Sequence, residues 1–145
     1  MKKEITSVVI IIAIFVVAIV RIFDHSDIIL HWDFVGDADS WENCLLMLIL
    51  PMVSVGVYFF LKYFERHPSK CNIPFRVVNK DAVYPIIVRS MYRARQIILL
   101  MFLYITVCSA GYLDLNALIV NAFVVLALGM VIRSEVKALK VNHRK

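Results

Sequence analysis

Residues 5–23 read ITSVVIIIAIFVVAIVRIF, a run with no charge before Arg21. At 1.5 Å per residue a helix of this length covers about 28 Å, close to the roughly 30 Å hydrocarbon thickness of a bilayer. The run lacks the broad polar face of a water-soluble amphipathic helix. Lys2 and Lys3 precede it as they would a signal peptide, but no A-x-A-like cleavage site closes it; the chain continues through Ala18, Ile19, Val20 and Arg21. An uncleaved membrane helix is expected.

Three further runs have the same character, at 44–61, 97–113 and 115–132. Apolar residues make up 61% of the 145 and the mean hydropathy is +0.80, in blocks rather than alternating with polar residues. What remains is too short for a separate soluble domain. The expected fold is all-α: one polytopic membrane domain of four transmembrane helices. Its parts are a two-helix unit at 5–64 with a loop at 24–43, a connector at 65–96, a helical hairpin at 97–135 and a basic tail at 136–145.

Lys and Arg are distributed unequally among the connections. Lys2 and Lys3, then Lys62, Arg66, Lys70, Arg76, Lys80, Arg89, Arg93 and Arg95, then Arg133, Lys137, Lys140, Arg144 and Lys145 all fall on one side of a four-span chain. Only Arg21 falls on the other side, at a helix end from which it can snorkel to the interface. The positive-inside rule then places both termini in the cytoplasm. The net charge of +5 is a topology signal that also suits membrane lipids as partners, and it gives no support to nucleic-acid binding. Cys44, Cys71 and Cys108 form no C-x-x-C and no disulfide pattern.

The loop at 24–43 holds Asp24, Asp27, Asp33, Asp37, Asp39 and Glu42 with no Lys or Arg. The other outer connection, near 114–116, is only a tight turn, so recognition outside the membrane falls to the first loop. Within HWDFVGDADSWENC (31–44), Gly36 suits a turn with positive φ. Asp39 and Glu42 have the D-x-x-E spacing of a capping box at the start of the second helix, where both acids would also meet the positive end of its dipole. Trp32 and Trp41 suit the membrane–water interface. His31 can pair with Asp33 or Asp37, or join His25 and the aspartates as a metal ligand, although no zinc or calcium spacing is reproduced. Set among acids, it can also titrate in mildly acidic surroundings.

The connector carries Pro68 and Pro74 in a first half expected to be extended. Asp81 is the expected N-cap of a helical second half, with Pro85 tolerated early in it. Lys80, Arg89, Arg93 and Arg95 are then candidates for contact with headgroups or a cytoplasmic partner. The segment reads equally well as an interfacial helix or as an early start of the third span. Within the spans, Pro51 is expected to kink the second helix, and Asn121 to pair across helices with Thr106 or Ser109. No ionisable group is expected at depth. No nucleophile motif, H-E-x-x-H or phosphate-binding glycine loop is present, so neither a catalytic residue nor a cofactor is assigned, and a non-enzyme is expected.

The spacing H-W-x-x-x-G-x-x-D-x-W, met by His31, Trp32, Gly36, Asp39 and Trp41 and followed by an apolar span with Pro51, resembles the signature domain of the sporulation-delaying-protein immunity family (SdpI-type). The likeness continues through LPMVSVGVYFFLKYFERHP and more loosely through NIPFRVVNKDA; Cys44 stands where the family usually carries lysine. The resemblance implies a bacterial cytoplasmic-membrane protein that binds a secreted peptide toxin and relays its presence to a regulator. In this chain the acidic loop would attract a cationic peptide, Trp32 and Trp41 would supply contact area, and residues 80–95 would face the regulator. Two other readings compete: a metal-dependent membrane enzyme or small-solute transporter using His31 and the loop carboxylates, and a structural subunit of a membrane complex.

Overall fold

A computed structural model describes residues 2–24, 27–33 and 36–142. Helix α1 (Lys2–Phe23) leads into an antiparallel pair of strands, β1 (Ile28–Trp32) and β2 (Ala38–Glu42). A 3-10 turn over Cys44–Leu48 passes into α2 (Ile49–Arg66). A short 3-10 turn (Pro68–Lys70) and an extended stretch follow, then α3 (Lys80–Ser109) and α4 (Ala117–Asn142). Four helices are long and apolar enough to cross a membrane, so the chain is a small multi-pass membrane protein. Large apolar side chains such as Val9, Ile12, Phe59, Val125 and Leu128 point away from the protein, as expected where lipid is the solvent.

The centre of the bundle is α3, which packs on α1, α2 and α4. One stripe of α1, formed by Ser7, Ile10, Ile14 and Ala18, turns inward at helical spacing. Ile10 and Ile14 meet Leu99, with Tyr58 and Phe102 alongside. Helix α4 lies on α3, and its buried residues are Ala138 and Asn142 near the chain end.

The third helix is continuous over 30 residues, about 45 Å, which decides the connector in favour of a long third helix. Asn79, not Asp81, caps it, with Oδ1 accepting from the Ala82 N–H at 3.1 Å. Pro85 lies inside it, where the missing N–H forgoes one bond to the Asp81 carbonyl. The segment from 136 continues α4 as far as Asn142 rather than forming a separate tail. There the Asn142 Oδ1 accepts from the Val78 and Asn79 N–H groups at 2.7 and 3.2 Å, and its Nδ2 donates to the Arg76 carbonyl at 2.9 Å. This clasp closes a small second core of Val83, Ile87 and Ala138, with Ile73, Phe75 and Val77 packed on it.

Pro51 is in the first turn of α2, directly after the 3-10 turn. It stands where the 3-10 turn passes into the α-helix, an entrance at which a proline N–H is little missed. Asn121 is exposed on α4 and makes no contact with Thr106 or Ser109; Thr106 Oγ1 instead donates back to the Phe102 carbonyl at 2.7 Å. The helical period turns Asn121 away from the α3 contact.

Candidate functional site

The acidic segment is a β-hairpin rather than an irregular loop. Ile28 and Ile29 are buried, and Ile28 packs with Ala18 of α1, Met47 and Ala110. These two consecutive apolar residues at the start of β1 therefore anchor the hairpin to one end of the bundle. Its tip is built by Asp33, whose Oδ1 accepts from the Gly36 and Asp37 N–H groups at 2.8 and 2.9 Å. Gly36 has φ +105°, the positive φ expected of it, and a Cβ there would collide with the Leu115 carbonyl. The tip is thus seated on the turn between α3 and α4.

Asp39 and Glu42 lie in β2 and do not form the expected capping box. Asn43 caps the following turn instead, accepting from the Leu45 N–H at 2.9 Å. The β pairing gives Asp39 another role: its carboxylate oxygens lie 2.7 and 2.8 Å from His31 Nδ1, across the strands. So His31 does pair with a loop acid, but with Asp39 rather than Asp33 or Asp37. The His31 side chain is 72% exposed, so this pair faces water. Trp32 is half-buried, and Trp41 projects with 59% of its surface exposed. Asp37 and Glu42 are exposed too. Arg21 of α1 reaches the base of the hairpin, where its Nη2 donates to the Asp27 carbonyl. No three described His, Cys, Asp or Glu side chains converge as a metal-ligand group; His25 lies outside the described residues.

At the opposite end is a constellation that the sequence reading missed. Arg95 is fully buried, not turned to headgroups. Its Nη1 pairs with Glu65 Oε1 of α2 at 3.0 Å as a charge contact off the hydrogen-bond line, and its Nη2 donates to Glu4 Oε1 of α1 at 3.4 Å. Lys62 donates to the same Glu4 oxygen, and Tyr58 donates to the other at 2.8 Å. Tyr58 and Tyr92 place their rings 4.9 and 5.4 Å from the guanidinium carbon. Gln96 donates to Ser7 one turn deeper. Two carboxylates and two cations therefore neutralise each other where three helices meet, at the end of their apolar runs. A signal was present: Tyr58, Lys62 and Glu65 share one face of α2 by spacing, and Glu4 continues the inward stripe of α1. The chemistry of this cluster is cohesive: each charge finds its counter-charge, so burial costs far less than for a lone ion.

Of the remaining basic residues, Lys80, Arg89 and Arg93 are exposed on α3. Arg89 and Arg93 border a pocket of about 230 Å³ against α4, and Lys80 does not. No family model matches the chain, and neither curated proteins nor solved structures give a significant match.

Proposed function

We propose that this protein acts by binding, as an immunity-like or sensory accessory protein that receives a cationic amphipathic peptide on its hairpin outside the cell. The observation that carries the reading is the hairpin end itself: from Arg21 to Lys62 there is no Lys or Arg, while Asp37, Asp39 and Glu42 stand exposed beside an exposed Trp41. Carboxylates steer a cationic partner, and a rigid indole supplies contact area at low entropic cost. The buried Ile28 anchor and the Gly36 seat hold this surface in place, so little ordering is required on binding. Helix α3 links β1 at one end to its long basic extension at the other, the route by which an occupied hairpin would bias a regulator in the cytoplasm.

The test is titration of a Lys/Leu amphipathic peptide against the full chain in discs of neutral lipid. Saturable binding that weakens in Asp37→Asn/Glu42→Gln and in Trp41→Ala, and also weakens with salt, is expected. Equal binding to empty discs, or to the charge-neutralised variant, would remove the basis of this reading.

A further inference from the structure

The pocket between α3 and α4 is lined by Pro85, Ile86, Arg89, Ser90 and Arg93 from α3 and by Ser134 and Lys137 from α4. No carboxylate lines it, and Arg89, Arg93 and Lys137 form no ion pair among the described residues. Arg95, by contrast, has Glu65 and Glu4 within ion-pair distance. Arg89, Arg93 and Lys137 instead line one open pocket together. A second observation is independent of charge. Ser90 is 3% exposed, and its Oγ is buried with no hydrogen-bond partner among the described residues. Ser90 lies between this pocket and a neighbouring apolar one, and a ligand acceptor reaching its Oγ would relieve the cost of an unpaired buried hydroxyl.

The depth of the pocket identifies the source of that acceptor. The apolar runs of α1, α2 and α3 end at the Glu4–Lys62–Arg95 level, which marks the edge of the hydrocarbon. Arg93 and Arg89 lie two and six residues beyond Arg95 along α3, about 3 and 9 Å further out. Side chains on a helix lean toward its N-terminus, here away from the hydrocarbon. The headgroup layer occupies roughly the 5–8 Å outside the hydrocarbon edge, so the three cations stand where lipid phosphates lie.

We propose that this pocket is a specific site for the phosphate of an anionic phospholipid, drawn from the leaflet at the basic end of the protein. Arg89, Arg93 and Lys137 hold the phosphate oxygens by charge-assisted hydrogen bonds, the two arginines from α3 and the lysine from α4. Ser90 and Ser134 donate from the walls. The lipid thereby bridges α3 and α4 beyond the hydrocarbon edge.

Purified full chain in mild detergent, supplied with equal phosphatidylglycerol and phosphatidylcholine, is examined by native mass spectrometry for retained lipid. Wild type is expected to retain phosphatidylglycerol preferentially. Each cation removed should cost about fivefold, so Arg93→Gln/Lys137→Gln loses about 25-fold. Ser90→Ala also lowers retention, while the charge-keeping Arg93→Lys and the control Lys80→Gln/Lys140→Gln stay within about twofold of wild type. Equal retention of the two lipids by wild type overturns the proposal, as does an equal loss in the control pair. Loss in Arg93→Lys as deep as in the glutamine variant also rejects it, because charge would not be the cause. In a separate arm, millimolar inorganic phosphate should leave the lipid bound; its displacement would assign the pocket to a soluble anion and overturn the lipid site.

Discussion

Arg95 Nη1 lies 3.0 Å from Glu65 Oε1, with the two side chains only 0% and 9% exposed, and this contact ties α3 to α2. Glu4 brings α1 to the same guanidinium, so one side chain holds three helices in register. Ionisable groups in a membrane protein are expensive unless they pair or reach water, and here they pair.

Removing one member of this group leaves the others buried without their counter-charge. Arg95→Met should lower stability by about 3–5 kcal/mol. The double variant Arg95→Met/Glu65→Leu should recover a large part, because it removes both charges of the pair. Unfolding of the purified protein in mixed micelles by added denaturing detergent measures both. A double variant as unstable as the single one would show that the pair is not the cause.

Gly36→Ala places a Cβ against the Leu115 carbonyl at a backbone conformation that disfavours L residues. The expected loss is about 1–3 kcal/mol from strain alone, with the hairpin tip lifted from the α3–α4 turn. Faster proteolysis within 33–40, with the helices still protected, is the signature. Unchanged cleavage would mean that the tip is not seated on Leu115.

The Asn142 clasp predicts an effect far away in sequence. Asn142→Ala strands the Val78 and Asn79 N–H groups and should cost about 1–3 kcal/mol. Hydrogen exchange at Val78 and Asn79 should accelerate, since those two amides lose their acceptor. Asn142→Asp keeps the acceptor and should protect those amides better than alanine does.

Burial pushes the Cys71 thiol above its ordinary pKa. Only the thiolate is nucleophilic, so the raised value means less thiolate at neutral pH and slow alkylation. In a Cys44→Ser/Cys108→Ser background, the rate with iodoacetamide should still be climbing at pH 9. A plateau below that pH would contradict the burial of this thiol by its packing against the second core.

Much of the architecture was legible in the chain. Four apolar runs predicted four spanning helices because crossing hydrocarbon demands length and composition, both of which one sequence carries. The positive φ of Gly36 was legible for a similar reason, since a backbone preference is local. The capping box was misread: D-x-x-E at 39–42 satisfies that motif's spacing, but β1 competes for the same backbone groups and makes 38–42 a strand. Local rules could not weigh that competition.

The sequence by itself determined that this is a membrane protein with an acidic end and a basic end, because hydropathy and charge are sums over residues. Only the tertiary structure decided which charges are spent on each other. Arg89, Arg93 and Arg95 are near neighbours in the chain, yet one is locked between Glu65 and Glu4 while two face a pocket free of carboxylates. The reason is rotational: each residue advances about 100° around a helix, so Arg95 meets α1 and α2, Arg93 turns to α4, and Arg89 borders both the α4 pocket and a second one lined by Glu4 and Glu65.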